Sequence, residues 1–211
     1  MSNKPNFKNM RSILIIITFI LTSHLGFAQA TDESYNWETF NRNLTTGEEF
    51  HLDVQKGSGY AKIKDMDFTN GVIELEIKGK DKRGRSFVGL AFHGVNDSTY
   101  DAVYFRPFNF LSETKAANAV QYISHPKNTW HSLRKAFPGN YESTMDSKPD
   151  PNNWFKIKIV VNYPHIKVFT EGIETPILEV KQLSKQKHGW IGIWAGNGSE
   201  GWFRNIKITQ F

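Results

Sequence analysis

Hydrophobic side chains recur at every second position over much of the chain, first at 71–79, where Ile73, Leu75 and Ile77 alternate with Glu74, Glu76 and Lys78. A period of two puts the first set on one face of a strand and the second set on the other, so this segment predicts a half-buried strand. The same pattern predicts strands over 87–93, 100–106, 119–124, 154–162, 165–170, 177–181, 189–195 and 202–209, with turn-forming residues at nearly every junction. One segment departs from it. Trp130, Leu133 and Phe137 fall at helical spacing ahead of Pro138 and Gly139, which predicts one short helix on a loop, with those three side chains as the patch that packs it down. About ten short strands, no long helix and no repeat predict an all-β chain, an antiparallel two-sheet β-sandwich or barrel. The longest loop is 141–153, with Pro149, Asp150 and Pro151. Neither of its flanks is large enough to fold alone, so 31–211 is expected to form one domain.

The first thirty residues have a different character. Lys4, Lys8 and Arg11 precede an apolar run from Ile13 to Leu21, and Ala28-Gln29-Ala30 puts small residues at the −3 and −1 positions. This is the layout of a secretory signal peptide with cleavage before Thr31, and the apolar run is short of the ~20 residues that span a bilayer. The expectation is a secreted or periplasmic protein with no membrane span after cleavage. The leader also changes the charge. The 211 residues carry a formal +5, but setting aside the leader's three of 26 basic residues leaves 23 against 21 acidic ones. That balance excludes a binder that neutralises nucleic-acid phosphates with a basic face. The absence of cysteine excludes a disulfide framework, a thiolate nucleophile and a cysteine zinc site.

Strand order and composition in the C-terminal third carry a resemblance. Trp154 to Val161, His165 to Gly172, Pro176 to Val180, Gly189-Trp190-Ile191-Gly192-Ile193-Trp194 and Gly201 to Ile208 follow one another, the last closing as Phe203-x-Asn205-Ile206-x-Ile208. With the early strands 71–77 and 87–92, this resembles the concanavalin A-like lectin/glucanase superfamily, in its laminin-G-like and 3-keto-disaccharide hydrolase-like branches, over nearly the whole chain past the leader. The resemblance implies a jelly roll whose concave sheet commonly holds sugars; it implies no reaction by itself.

Candidate chemistry gathers on few segments. In 100–110, alternation puts Val103 and Phe105 inward and Tyr104 and Arg106 on the opposite face, with Asn109 in the turn after Pro107. A rigid guanidinium fork, an amide and an aromatic plate bearing a hydroxyl suit sugar hydroxyls, although Arg106 has Asp101 and Glu113 as possible ion-pair partners. The preceding strand offers His93 and the following one Gln121 and His125. Around the short helix lie Trp130, His131, Arg134, Tyr141 and Glu142. Trp190 and Trp194 share a face, as a sugar platform or as core. Substrate-binding candidates are therefore His93, Tyr104, Arg106, Asn109, Gln121, Trp130 and Trp194, and the acid and base candidates are His125, His131 and Glu142. Glu74 and Glu76 have the spacing of paired carboxylates, but Lys78 follows on that face and no Glu-x-Asp-x-x-Glu pattern exists, so solvated surface glutamates are the plainer reading. No transition-metal motif, glycine-rich phosphate loop or Gly-x-Ser-x-Gly elbow occurs, and no cofactor is expected. The oxygen-rich loop of Asp146, Asp150, Asn152 and Asn153 leaves calcium open. Three functions follow: a secreted glycan-binding jelly roll on oligo- or polysaccharide; an enzyme that opens a 3-keto-glycoside by proton abstraction beside the carbonyl, with Arg106 orienting the substrate; and an adhesion or scaffold module that binds protein.

Overall fold

The computed structural model describes residues 29–31 and 35–211. The basic and apolar parts of the expected leader lie outside the described residues. The rest forms two antiparallel sheets packed face to face. In the first sheet the strand order is β13 (Leu178–Lys181), β12 (His165–Thr170), β11 (Trp154–Asn162), β6 (Gly71–Lys78), β15 (Gly201–Gln210), β4 (Phe50–Leu52) and β3 (Leu44–Thr45), with β1 (Gln29–Thr31) also paired to β15. The second runs β10 (Glu142–Ser143), β9 (Val120–Ser124), β8 (Thr99–Phe105), β7 (Val88–Asn96), β14 (Trp190–Ala195), β5 (Gly59–Ile63) and β2 (Trp37–Phe40).

Alternation decides what lies between the sheets. Ile73, Leu75 and Ile77 of β6 meet Val88, Leu90 and Phe92 of β7, Val103 and Phe105 of β8, and Ile191 and Ile193 of β14 in one core. Burying each such side chain stabilises the fold by roughly 1.5–3 kcal/mol before entropy is counted. The outward positions of β6 are dispersed among charges. Glu76 accepts from Arg204 at 2.8 Å and from Asn205 at 2.9 Å, and Glu74 lies 3.9 Å from Lys207. The two glutamates thus belong to a salt-bridged outer surface.

The closing strand explains part of its own motif. Pairing of β15 with β6 slips between Arg204 and Lys207, and Asn205 adopts φ 54° there. A bulge needs one residue outside the extended region, and asparagine enters the left-handed region more cheaply than most. The slip rephases the strand, so Phe203, Ile206 and Ile208 all reach the core.

The helix α1 spans Trp130–Ala136, capped by Thr129, whose hydroxyl accepts from the Ser132 amide. Its packing differs from expectation. Leu133 is buried, but Trp130 and Phe137 are 45% and 49% exposed. One side chain therefore docks the helix, and Trp130 is left to face the open side of the sheet.

Candidate functional site

On the outer face of the second sheet, the central strands alternate very small with very large residues. Gly89 and Ala91 of β7 stand beside Trp194 and Gly192 of β14, and beside Tyr104 and Ala102 of β8. With no side chain at Gly89, the rings of Tyr104 and Trp194 meet across β7 with centroids 5.2 Å apart. Tyr60, Tyr100, Ile123 and Leu133 join them in a second apolar cluster. Trp194 donates to the Tyr100 hydroxyl at 3.1 Å and is 3% exposed. It is the floor of this face.

Two recesses open on that floor. One, of about 220 Å³, is walled by Phe87, Tyr104, Ile123, His125, Trp130 and Trp194, with Ser58, Thr129 and Asn197 at its margin. The other, of about 260 Å³, is walled by Arg83, Phe87, Arg106, Phe108, Asn109, Lys115, Asn118, Trp130 and Arg134. Phe87 and Trp130 belong to both, so the recesses adjoin.

Arg106 sits where β8 ends and a single 3-10 turn (Pro107–Asn109) begins. It pairs with neither Asp101 nor Glu113. Its guanidinium donates to the Asn118 carbonyl at 2.6 Å, the Tyr104 hydroxyl at 2.6 Å and the Gln121 amide oxygen at 3.3 Å. Asn109 reaches the same Asn118 carbonyl at 3.3 Å. The Gln121 amide nitrogen is held by the carbonyls of Tyr122 and Tyr141, which fixes its oxygen toward Arg106. Burial lowers the basicity of Arg106, while Arg134 and Glu142 act on it in opposite senses. Burial also pushes the Tyr104 phenol up to about 12, so it stays protonated.

The acid and base candidates separate. His125 lines the aromatic recess, and burial lowers its basicity, which leaves it neutral at pH 7 and able to accept a proton. Glu142 is held by Arg134 through bonds of 2.5, 3.0 and 3.1 Å, and its side chain is 8% exposed. His131 is exposed on α1, edge-on to Trp130.

His93 does not join the others. Pairing of β7 with β8 slips past Phe92, and His93 takes φ 50°. The slip turns its ring to the Thr69 carbonyl at 2.5 Å and to Gln182 at 3.1 Å, where it forms part of a buried polar cluster with Asp101, Tyr122 and Ser184. Alternation assumed an unbroken strand, and a bulge broke it.

The oxygen-rich loop is likewise engaged locally. Asp146 accepts from Thr144, Asp150 from the Asn152 amide, Asn152 from the Asp81 amide and Asn153 from the Trp154 amide. No three His, Cys, Asp or Glu side chains gather to hold a metal among the described residues. Sequence reasoning missed Phe87, Arg83, Lys115 and Asn118. The basic stretch 80–85 was a signal for Arg83, and Phe87 opens the expected strand 87–93 in phase with His93; nothing marked Lys115 and Asn118.

Two sheets, an antiparallel order and an aromatic-floored outer face define a jelly roll of the concanavalin A-like kind. Residues 27–209 match the 3-keto-alpha-glucoside-1,2-lyase-like domain family, and the chain belongs to it. No curated protein matches it by sequence. In fold it is similar to the carbohydrate binding module CBM66 from Bacillus subtilis, with TM-score 0.61 and 16% identity over 81% of this chain and 94% of that one. A Bacillus subtilis protein of unknown function with a galectin-like fold gives TM-score 0.56 and 13% identity over 83% and 89%. The exoplasmic/lumenal domain of VIP36, in its Ca2+/Man3GlcNAc-bound form, gives TM-score 0.59 and 12% identity over 83% and 84%.

Proposed function

We propose that this protein binds a glycan in the adjoining recesses on the outer face of its second sheet, and that it works outside the cytoplasm after loss of its leader. The observation that carries the reading is an aromatic-walled recess, built by Phe87, Tyr104, Trp130 and Trp194, that opens directly beside the hydrogen-bonding groups of Arg106 and Asn109. Sugar rings offer C–H faces to aromatic planes and hydroxyls to polar forks, and this surface presents both within one ligand's reach. Support comes from two proteins of similar fold, a carbohydrate binding module and a lumenal domain in a Man3GlcNAc-bound form. A recessed face is also less suited to protein docking than a flat apolar one.

A second reading, catalysis, is favoured by His125. A 1,2-elimination on a 3-keto-glucoside removes the proton at C2, beside the ketone; C1=C2 forms, the C1–O bond breaks, and the leaving oxygen takes up a proton. His125 is the neutral base available in the aromatic recess, with Arg106 orienting the sugar. Glu142 is engaged with Arg134, and His131 lines neither recess.

The test is binding and turnover of one panel of oligosaccharides and 3-keto-glycosides by the purified protein. Binding weakened at least tenfold in Trp130→Ala, a half-exposed position whose loss spares the core, is the expected result. Turnover lost in His125→Ala with binding retained adds the enzyme. Binding undisturbed by Trp130→Ala refutes the site, and silence throughout refutes the glycan reading.

A further inference from the structure

Charge is distributed unevenly over this molecule. Some surface cations stand beside carboxylates, such as Lys62 with Glu38, Lys80 with Glu200, Lys167 with Glu179 and Arg204 with Glu76, and others stand singly in solvent. The recess next to the aromatic one gathers several of them around one cavity. Arg83, Arg106, Lys115 and Arg134 line it, and no carboxylate does. Glu142 compensates Arg134. Arg83, Arg106 and Lys115 have no ion pair among the described residues, so one small cavity has three uncompensated positive charges around it.

Arg106 makes the excess costly. The residue is 5% exposed, and a buried cation without an anion is among the least favourable groups a fold can hold. Its acceptors, a carbonyl, a phenol and an amide, are all neutral. The rings of Tyr104 and Phe87, 4.9 and 5.9 Å from the guanidinium carbon, attract it without neutralising it. Of its five N–H donors three are engaged, and Nε has no partner.

Arg42, also 5% exposed, likewise has only neutral acceptors, the carbonyls of Asn41, Gly57, Ala195 and Gly196, and an unpartnered Nε, but it lines neither recess. Arg106 instead presents its charge to a cavity that Arg83 and Lys115 also line. Neutral hydroxyls need no positive charge to bind, whereas a carboxylate or sulfate is matched by it.

We infer that the ligand is an acidic glycan, with one sugar ring against the aromatic wall and the anionic substituent of the same or the next sugar held by Arg106, Arg83 and Lys115. This inference rests on the glycan reading and names its substrate class. Uronic acids and sulfated sugars share the chemistry that Arg106 selects, and the test separates them.

The experiment is calorimetric titration of the whole protein with acidic oligosaccharides, each beside its neutral counterpart. Oligogalacturonates are paired with their methyl esters, and sulfated neocarrabiose with desulfated neocarrabiose. Variants are the exposed pair Arg83→Ala/Lys115→Ala, which disturbs no packing, Arg106→Gln, and Trp130→Ala. The expected result is that one acidic series binds roughly tenfold or more tightly than its neutral partner, as befits hydrogen bonds to a charged group. That preference collapses in the double variant and in Arg106→Gln, while Trp130→Ala weakens acidic and neutral ligands alike. Preference for oligogalacturonate assigns a carboxylate, and preference for the sulfated disaccharide assigns a sulfate. Equal affinity for acidic and neutral partners, with both lost in Trp130→Ala, overturns the inference and leaves the glycan reading standing. Acidic binding that survives Trp130→Ala and vanishes at high salt is surface attraction and overturns it too. No binding of any probe overturns the glycan reading and this inference together.

Discussion

Trp194 tests whether the outer face of the second sheet is a built floor or a loose platform. Its indole is 3% exposed, packs tilted against Tyr104 with centroids 5.2 Å apart, and donates to the Tyr100 hydroxyl at 3.1 Å. Gly89 and Gly192 beside it have no side chain to fill a vacated space. Truncation to alanine should therefore leave most of its cavity open, at a cost of about 3–5 kcal/mol. Losing the bond to Tyr100 adds about 0.5–1.5 kcal/mol. For a chain of this size each kcal/mol lowers the melting temperature by roughly 2–4 °C, which puts Trp194→Ala some 7–26 °C below the parent. Trp194→Phe keeps most of the ring and loses the hydrogen bond; about 1–2 kcal/mol is expected. Urea unfolding followed by circular dichroism gives both numbers, and glycan titration well below the melting temperature gives the effect on binding. A Trp194→Ala protein within about 1 kcal/mol of the parent would refute the argument. The indole would then be a ligand-facing plate with no part in the packing.

Other expectations follow from the same geometry. Glu142→Gln should cost about 1–2 kcal/mol, the lower part of the range for charged hydrogen bonds because Arg134 is 35% exposed, and should leave any turnover intact. Unchanged melting with turnover abolished would show that Glu142 acts on substrate. His125 titrates below its ordinary 6.5 because it is buried, so the unfolded chain binds its proton more readily than the folded one. Stability should thus fall as pH drops through about 6.5, and His125→Asn should flatten that part of the profile; parallel profiles for parent and variant would contradict the shift. Gly89→Ala would set a methyl 2.2 Å from the Val103 carbonyl oxygen and 2.6 Å from the Tyr104 Cα, so β7 and β8 must part. A loss of about 1–3 kcal/mol by urea unfolding is expected, and no loss would mean that the strands yield freely.

The strands that could be read from the sequence were those long enough to repeat their period. The nine-residue β11 alternates Phe155, Ile157, Ile159 and Val161 without a fault, and its bounds, 154–162, match the expectation. Before residue 71, β3 has two residues and β4 three, too few for a period to show, and the five-residue β5 buries Gly59, Tyr60 and Ala61 in succession, so it has no alternation to read. β10 is a two-residue strand inside what reads as loop, and it matters because it sets Glu142 opposite Gln121. Within the site, Tyr104, Arg106, Gln121, His125 and Trp194 come from strands of one sheet or their ends, Asn109 from the 3-10 turn after β8 and Trp130 from α1; alternation speaks to the face of each strand and not to which strands are neighbours. His93 escaped because its strand bulges at that residue. Arg83 and Lys115 went unnoticed because they come from loops, whose course over a sheet no periodicity encodes, whereas Phe87 was legible as the first outward position of the expected strand 87–93.

The wall shared by the two recesses has a further consequence. Phe87 and Trp130 face both cavities, so an oligosaccharide that fills one places its next sugar at the mouth of the other. The second contact then forms within one molecule, at an effective concentration set by a single glycosidic linkage, and the two affinities compound. A monosaccharide gains nothing from this. Chain length would become a selector in its own right, with free sugars ignored at concentrations where a short fragment of polymer is held.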